Sequence, residues 1–194
     1  MLRTIPIAAL AALISAAFSM EVFAQHKQAS DRHTEQRQNY VQGEDHSGKT
    51  IAEVLSETDR FSKFAEALAL ADMQDLLNSG DYTVFAPSNE AFERLPNGTW
   101  DSWTAPGNRE QLREILSYHI VTERAAADDF ENSRSDYATL NDSGDLRITN
   151  NLGNFSVNTA AVTHADIQAE NGYIHVIDSV LVNSRHRAQQ TTDE

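Results

Sequence analysis

The sequence predicts an α+β domain, and three observations carry that reading. Apolar residues recur at helical spacing over much of Thr50 to Leu116, and short strand-forming runs fill Tyr137 to Val182. The two patterns are largely segregated, whereas alternating βα units would mix them along the chain. The sequence also shows no internal repeat.

Each element has a local cause. Thr50-Ile-Ala-Glu53 is a capping-box sequence, in which hydroxyl and carboxylate satisfy each other's backbone N–H, and it opens a helix through Leu55. From Asp59, residues Phe61, Phe64, Ala65 and Leu68 keep helical spacing on to Leu76 and Leu77, where Gly80-Asp81 stops it. Tyr82 to Ala86 reads as a strand, ended by Pro87. Ser88 then caps a brief helix holding Ala91 and Phe92, and Phe85 and Phe92 are expected to anchor the core across the Pro87 turn. Pro96 to Gly107 reads as a polar loop carrying Trp100 and Trp103. Asn108 with Gln111 resembles another cap, ahead of an apolar stripe of Leu112, Ile115 and Leu116. At helical pitch His119 continues that stripe, while Tyr118 falls about 120° from its centre. This predicts a buried, structural His119 and a more exposed Tyr118; a strand beginning at Tyr118 would oppose the two side chains by alternation instead. Tyr137 to Leu140, Leu146 to Thr149, Phe155 to Val157, Val162 to Ile167 and Tyr173 to Val182 are strands, separated by Asn, Asp, Ser and Gly.

The folded part therefore spans residues 49–184. Residues 1–24 have the layout of a secretory signal peptide: Arg3, an apolar run from Ile5 to Phe18, then Val22-Phe23-Ala24, with cleavage expected after Ala24. The run is shorter than the roughly 20 apolar residues a membrane span needs. Residues 25–48 offer only Tyr40 and Val41 as large apolar side chains and are expected to be a disordered polar linker. Residues 185–194 read as a polar tail. Export implies a secreted or periplasmic protein.

Composition removes whole classes. With no cysteine there is no disulfide, thiolate nucleophile or Cys-ligated metal. The net charge is −14, and losing residues 1–24 removes one base and one acid, leaving it unchanged. Such a balance argues against nucleic acid or anionic lipid as main partners, because both demand clustered Lys and Arg.

Two longer segments then stand out. Thr83-Val-Phe-Ala-Pro-Ser-Asn-Glu-Ala-Phe92 resembles the first signature of fasciclin domains, and Asn171-Gly-Tyr-Ile-His-Val-Ile-Asp-Ser-Val-Leu181 resembles the second. Between them Leu116-Ser-Tyr-His-Ile-Val121 is similar to the family's central Tyr-His segment. The resemblance covers about residues 49–183. It implies a β-sandwich-like wedge of about seven strands with packed helices, no cofactor, and an adhesion or matrix-binding role toward protein or glycan. Asn171, Gly172, His175 and Asp178 then fall within a structural motif. Tyr173 stands where a small β-branched residue is commoner, and Thr122-Glu123-Arg124 replaces a usual glycine.

Ser88 follows a strand and precedes a helix as nucleophile serines do, but Pro87 and Asn89 flank it and no G-x-S-x-G occurs. His175, with Tyr173 and Ile177 on its own face, needs a buried partner, and Asp178 is expected to accept backbone N–H groups. His164 and Asp166 share a strand face by alternation, yet no His pair has metal-ligand spacing, so no metal is expected. Trp100, Trp103 and Tyr118 are the candidate partner contacts, against the alternative that both tryptophans tuck in as a lid. Asn97, Asn141 and Asn154 begin glycosylation sequons. A non-catalytic surface-binding module leads. The alternatives are a periplasmic small-molecule or metal-ion binding protein, suggested by the acidity and seven histidines, and a hydrolase suggested by the Ser, His and Asp inventory.

Overall fold

The computed structural model describes residues 40–183, except 131–132, 141–143 and 152. The expected signal segment, most of the linker, the polar tail and Asn141 lie outside the described residues. The described residues form six α-helices and nine strands.

The helices come first. The capping box forms as expected: Thr50 Oγ1 accepts the Glu53 N–H, and a Glu53 carboxylate oxygen accepts the Thr50 N–H at 2.8 Å. It opens α1 (Ile51–Glu57), which buries Ile51, Ala52, Val54 and Leu55. A 3₁₀ turn at Asp59–Phe61 leads into α2 (Ser62–Leu70), which buries Phe64, Ala67 and Leu68, and α3 (Gln74–Leu77) follows. Beyond the strand Tyr82–Pro87 come α4 (Asn89–Glu93), α5 (Thr99–Thr104) and α6 (Arg109–Ser117). The expected loop from Pro96 to Gly107 thus contains a helix. The expected Asn108 cap does not form either, because its side-chain amide donates to the Ser102 carbonyl at 2.7 Å instead.

Seven strands make one continuous sheet in the order β4 (Ile120–Val121), β3 (Tyr82–Pro87), β9 (Gly172–Ile177), β8 (Ala160–Ala169), β7 (Asn154–Val157), β6 (Leu146–Asn151) and β5 (Ser133–Tyr137). The sheet is mixed: β3 and β9 run parallel, with Tyr82 opposite Gly172 and Pro87 opposite Ile177. A bridge from Val121 to Thr139 and the Leu140 N–H to the Ile120 carbonyl bring the two ends together, so the sheet nearly closes into a barrel. The last strand stops at Ile177, short of the expected Val182.

The N-terminal boundary lies earlier than expected. Tyr40 is buried and packs edge-on against Phe155, while β1 (Val41–Gln42) and β2 (Asp45–His46) add to β8 in parallel. From Tyr40 onward the expected linker is part of the domain.

Alternation along β3 and β9 divides the interior in two. Val84, Ala86, Ile174 and Val176 face the helices, where they meet Phe64, Leu68, Leu77 and Leu116. Phe85 and Ile177 face the barrel interior with Phe130, Leu146, Phe155 and Val162. Phe85 and Phe92 are both buried but belong to these different clusters, so they anchor two cores rather than one.

Candidate functional site

The residues singled out by the sequence converge on the β3–β9 ribbon and its two flanks. Asn171 is the first knot. Its Oδ1 accepts the Ile51 N–H at 2.9 Å, and its Nδ2 donates to the carbonyls of Leu77 and Gly80 at 2.9 and 3.0 Å. One side chain thereby ties the start of α1 and the end of α3 to the start of β9. Gly172 follows where the backbones crowd: a Cβ there would lie 1.8 Å from the Tyr82 carbonyl oxygen. No other residue fits without moving β3.

His175 lies in the barrel interior, fully buried. Its ring stacks on Phe85 with centroids 5.3 Å apart and meets Phe155 edge-on at 5.2 Å. Nδ1 accepts the Asp166 N–H at 3.2 Å, so the proton sits on Nε2, which donates to the Ala125 carbonyl at 3.2 Å. Burial lowers its pKa from 6.5 to about 4, and the imidazole is neutral. The partner is the backbone of Asp166 and not its carboxylate. Two register shifts in β8 put Asp166 at φ 59°, which breaks the expected shared face with His164. Its Oδ1 accepts the Ala127 N–H at 2.7 Å, and burial raises its pKa.

His119 mirrors this arrangement beyond α6, which ends at Ser117. It is fully buried beside Phe64, its pKa likewise lowered by burial to about 4. Here Nδ1 donates to the Ile115 carbonyl at 2.8 Å and Nε2 accepts the Leu181 N–H at 2.9 Å. The two imidazoles hold opposite tautomers, and every ring nitrogen is engaged by backbone.

The other candidates are less exposed than expected. Tyr118 is buried on the barrel side, the ring opposed to His119. Its hydroxyl donates to the Asp145 carbonyl at 3.2 Å and receives the Asn158 amide at 3.1 Å. Helical arithmetic placed it on a solvent flank, but at the helix end the chain turns it under the β6–β7 side of the sheet. Trp103 is 3% exposed within the helical core, and Trp100 is half-buried with its ring 5.3 Å from Phe92, edge-on. Trp103 is thus part of the core, while Trp100 remains partly accessible.

Ser88 holds the N-cap position of α4 without a side-chain cap bond, and its hydroxyl instead helps keep the Glu90 carboxyl below its ordinary pKa. Asp178 accepts the Ala161 N–H at 2.9 Å while Arg94 donates to its carbonyl at 3.0 Å. Among the described residues, the side chains of Ser88, His119, His175, Asp166 and Asp178 thus each engage other partners and not one another. Among the described residues no group of three His, Asp or Glu is placed to hold a metal ion, and no helix is long and apolar enough to cross a membrane.

Sequence reasoning assigned no role to two basic residues. Arg124 lies 5.2 Å above the Tyr173 ring, and Arg60 lies 5.8 Å above Phe61 beside a pocket. Both sit in turns where no motif announces them.

Comparison with known proteins adds an independent line. A family model for the fasciclin domain matches residues 59–183. Protein sll1483 of Synechocystis sp. is 39% identical over 137 residues, which cover 70% of this chain and 74% of that protein. The cell surface glycolipoprotein MPB83 of Mycobacterium bovis is 32% identical over 111 residues, covering 57% of this chain and 48% of its own length. Among solved structures, the FAS1 domain pair from the insect cell adhesion molecule fasciclin I superposes with a TM-score of 0.63 at 19% identity. That match covers 71% of this chain and 52% of the other.

Proposed function

We propose that this chain, which belongs to the fasciclin domain family, is an exported non-catalytic module that binds protein or glycan at a cell surface or in a matrix. The observation carrying the reading is the state of the two signature histidines. Both are neutral, sealed and bonded at both nitrogens to backbone, so the family's most chemically capable side chains build the scaffold. What remains for function is the outer surface.

Two relatives support a surface role. One similar protein is by its name a cell surface glycolipoprotein, and one similar fold belongs to a cell adhesion molecule. The chain's own charge of −14 favours partners carrying complementary basic patches and makes encounter depend on salt. The signal-like residues 1–24 deliver the module outside, with Gln25 as the expected first residue after cleavage.

The test is capture of envelope and matrix fractions on immobilised full chain, read at low and high salt. Saturable capture that weakens with salt, together with an exported mass beginning at Gln25, is expected. Turnover of an ester or peptide panel, or a mass retaining residues 1–24, overturns the corresponding half of the reading.

A further inference from the structure

A pocket of about 160 Å³ opens where the N-terminal strands cross the 3₁₀ turn before α2. One wall is Val41, Gly43, Glu44 and His46; the others are Arg60, Phe61, His164 and Ile167. A cavity of about 150 Å³ takes one benzene-sized molecule.

The lining has two characters. Val41, Phe61 and Ile167 supply apolar surface, and Arg60 supplies charge. Arg60 lies against the Phe61 ring and forms no salt bridge among the described residues. His46 Nε2 is already engaged by the Glu44 carboxylate at 3.3 Å. Burial and then Arg60 lower the His164 pKa, while the Glu44 carboxylate opposes them. The guanidinium, whose charge also lowers the Glu90 pKa and which shares the lining with the Glu44 carboxylate, makes no ion pair among the described residues and borders apolar surface. It matches one carboxylate on a compact apolar body better than a doubly charged phosphate.

The wall is held to β8 by parallel pairing of Val41 with His164, Gln42 with Ala165, Asp45 with Gln168 and His46 with Ala169. Gly43 donates to the Ala165 carbonyl, and Gln168 donates to the Glu44 carbonyl at 3.0 Å. A Cβ on Gly43 would lie 2.4 Å from the Ile167 nitrogen, so only glycine lets the strand lie this close to β8. A molecule in the pocket would touch both this strand and the turn at Arg60.

We infer that this pocket is a binding site for a small organic monocarboxylate, with Arg60 as its charge partner and residues 41–46 as its closing wall. The site is separate from the surface role proposed above. Occupancy must slow opening of the wall, because a ligand that binds only the closed form stabilises it; at ten times Kd the slowing is roughly tenfold.

Benzoate is the probe, titrated into the full chain and followed by amide shifts and by hydrogen exchange at Gly43 and Gln168. Saturable shifts confined to the pocket and slower exchange are expected, with benzyl alcohol and inorganic phosphate both weaker. Arg60→Gln should weaken benzoate about tenfold without moving the melting midpoint, Glu44→Gln should retain or tighten it, and Gly43→Ala should lose it. No saturable shift at about 10 mM benzoate overturns the proposal, being weaker than a designated site requires. Equal affinity for benzyl alcohol, or unchanged affinity in a folded Arg60→Gln or Gly43→Ala variant, overturns it too.

Discussion

His119 and His175 occupy the two sides of one sheet and solve the same problem in opposite ways. On the helical side, His119 carries its proton on Nδ1 and joins the last turn of α6 to the segment after β9. On the barrel side, His175 carries it on Nε2 and joins the bulge in β8 to the loop at Ala125. In each case a buried ring pairs a backbone N–H with a backbone carbonyl of a separate segment. What differs is the surroundings: His119 meets one aromatic ring, whereas His175 is enclosed by Phe85, Phe130 and Phe155. An imidazole serves here as a connector of fixed polarity, and the tautomer is set by which side offers the carbonyl.

The largest expected effect breaks both connectors at once. Each histidine has an ordinary pKa of 6.5 and a folded one of about 4. Between these values the unfolded chain takes up protons that the folded chain refuses, so stability falls as pH falls through this window and levels off below about 4. Each contributes about 3 kcal/mol to that loss, and the pair about 6, comparable to a whole domain's stability. Asp166 works the other way, since its raised pKa lets the folded chain protonate first and recover part of the loss. Urea midpoints measured from pH 7 to 4 should drop steeply, and the slope should shrink in a folded His119→Gln or His175→Gln variant. A flat profile would show that both rings accept protons in place.

Phe85→Ala tests the aromatic enclosure. Phe85 is fully buried, stacks on His175 and touches Phe130 and Phe155. The expected loss is about 3–5 kcal/mol. Phe92, at the rim of the helical core and 6% exposed, should cost less when truncated. Equal losses would mean that the two cores do not differ in tightness.

His119→Ala and His175→Ala each leave backbone groups unpaired, for about 1–3 kcal/mol. The helical-side variant should loosen residues near Leu181 in hydrogen exchange, and the barrel-side variant those near Ala125 and Asp166. Loosening in the same place in both would remove the distinction between the connectors.

Local signals made much of this legible in sequence. The capping box at Thr50 works through residues three apart, so four letters suffice to find it. The helix from Arg109, the core strand at β3 and the structural use of His119 likewise follow from short-range period. The misread features depend on distant chain. Tyr40 and Val41 look unsupported until β8, more than a hundred residues later, offers an edge. Asp166 alternates with His164 until two bulges intervene, and those bulges answer to β9. Asn108 has a capping side chain but finds the Ser102 carbonyl first, through a helix that a Trp-bearing polar stretch does not announce. In the pocket, Arg60 is legible only as a charge, because its apolar neighbours come from three separate segments.

Tyr118→Phe gives the smallest expected effect and, set beside Tyr118→Ala, the most discriminating test. The Tyr118 ring belongs to the barrel core, yet its hydroxyl bonds Asp145 and Asn158, both of which are exposed. Removing only the hydroxyl leaves partners that water can reach, so Tyr118→Phe should cost about 0.5–1 kcal/mol, at the low end for a hydrogen bond. Removing the ring leaves a cavity between β4 and β6, so Tyr118→Ala should cost about 3 kcal/mol or more. That ordering is what a core residue with a wet tip gives. A contact residue gives the reverse, with little loss on Tyr118→Ala and a loss of partner capture in both variants. Melting and capture measured on the two variants together decide between them. Tyr118→Phe that melts like the parent and loses capture would return this side chain to the surface, and His119 alone would then mark the buried end of α6.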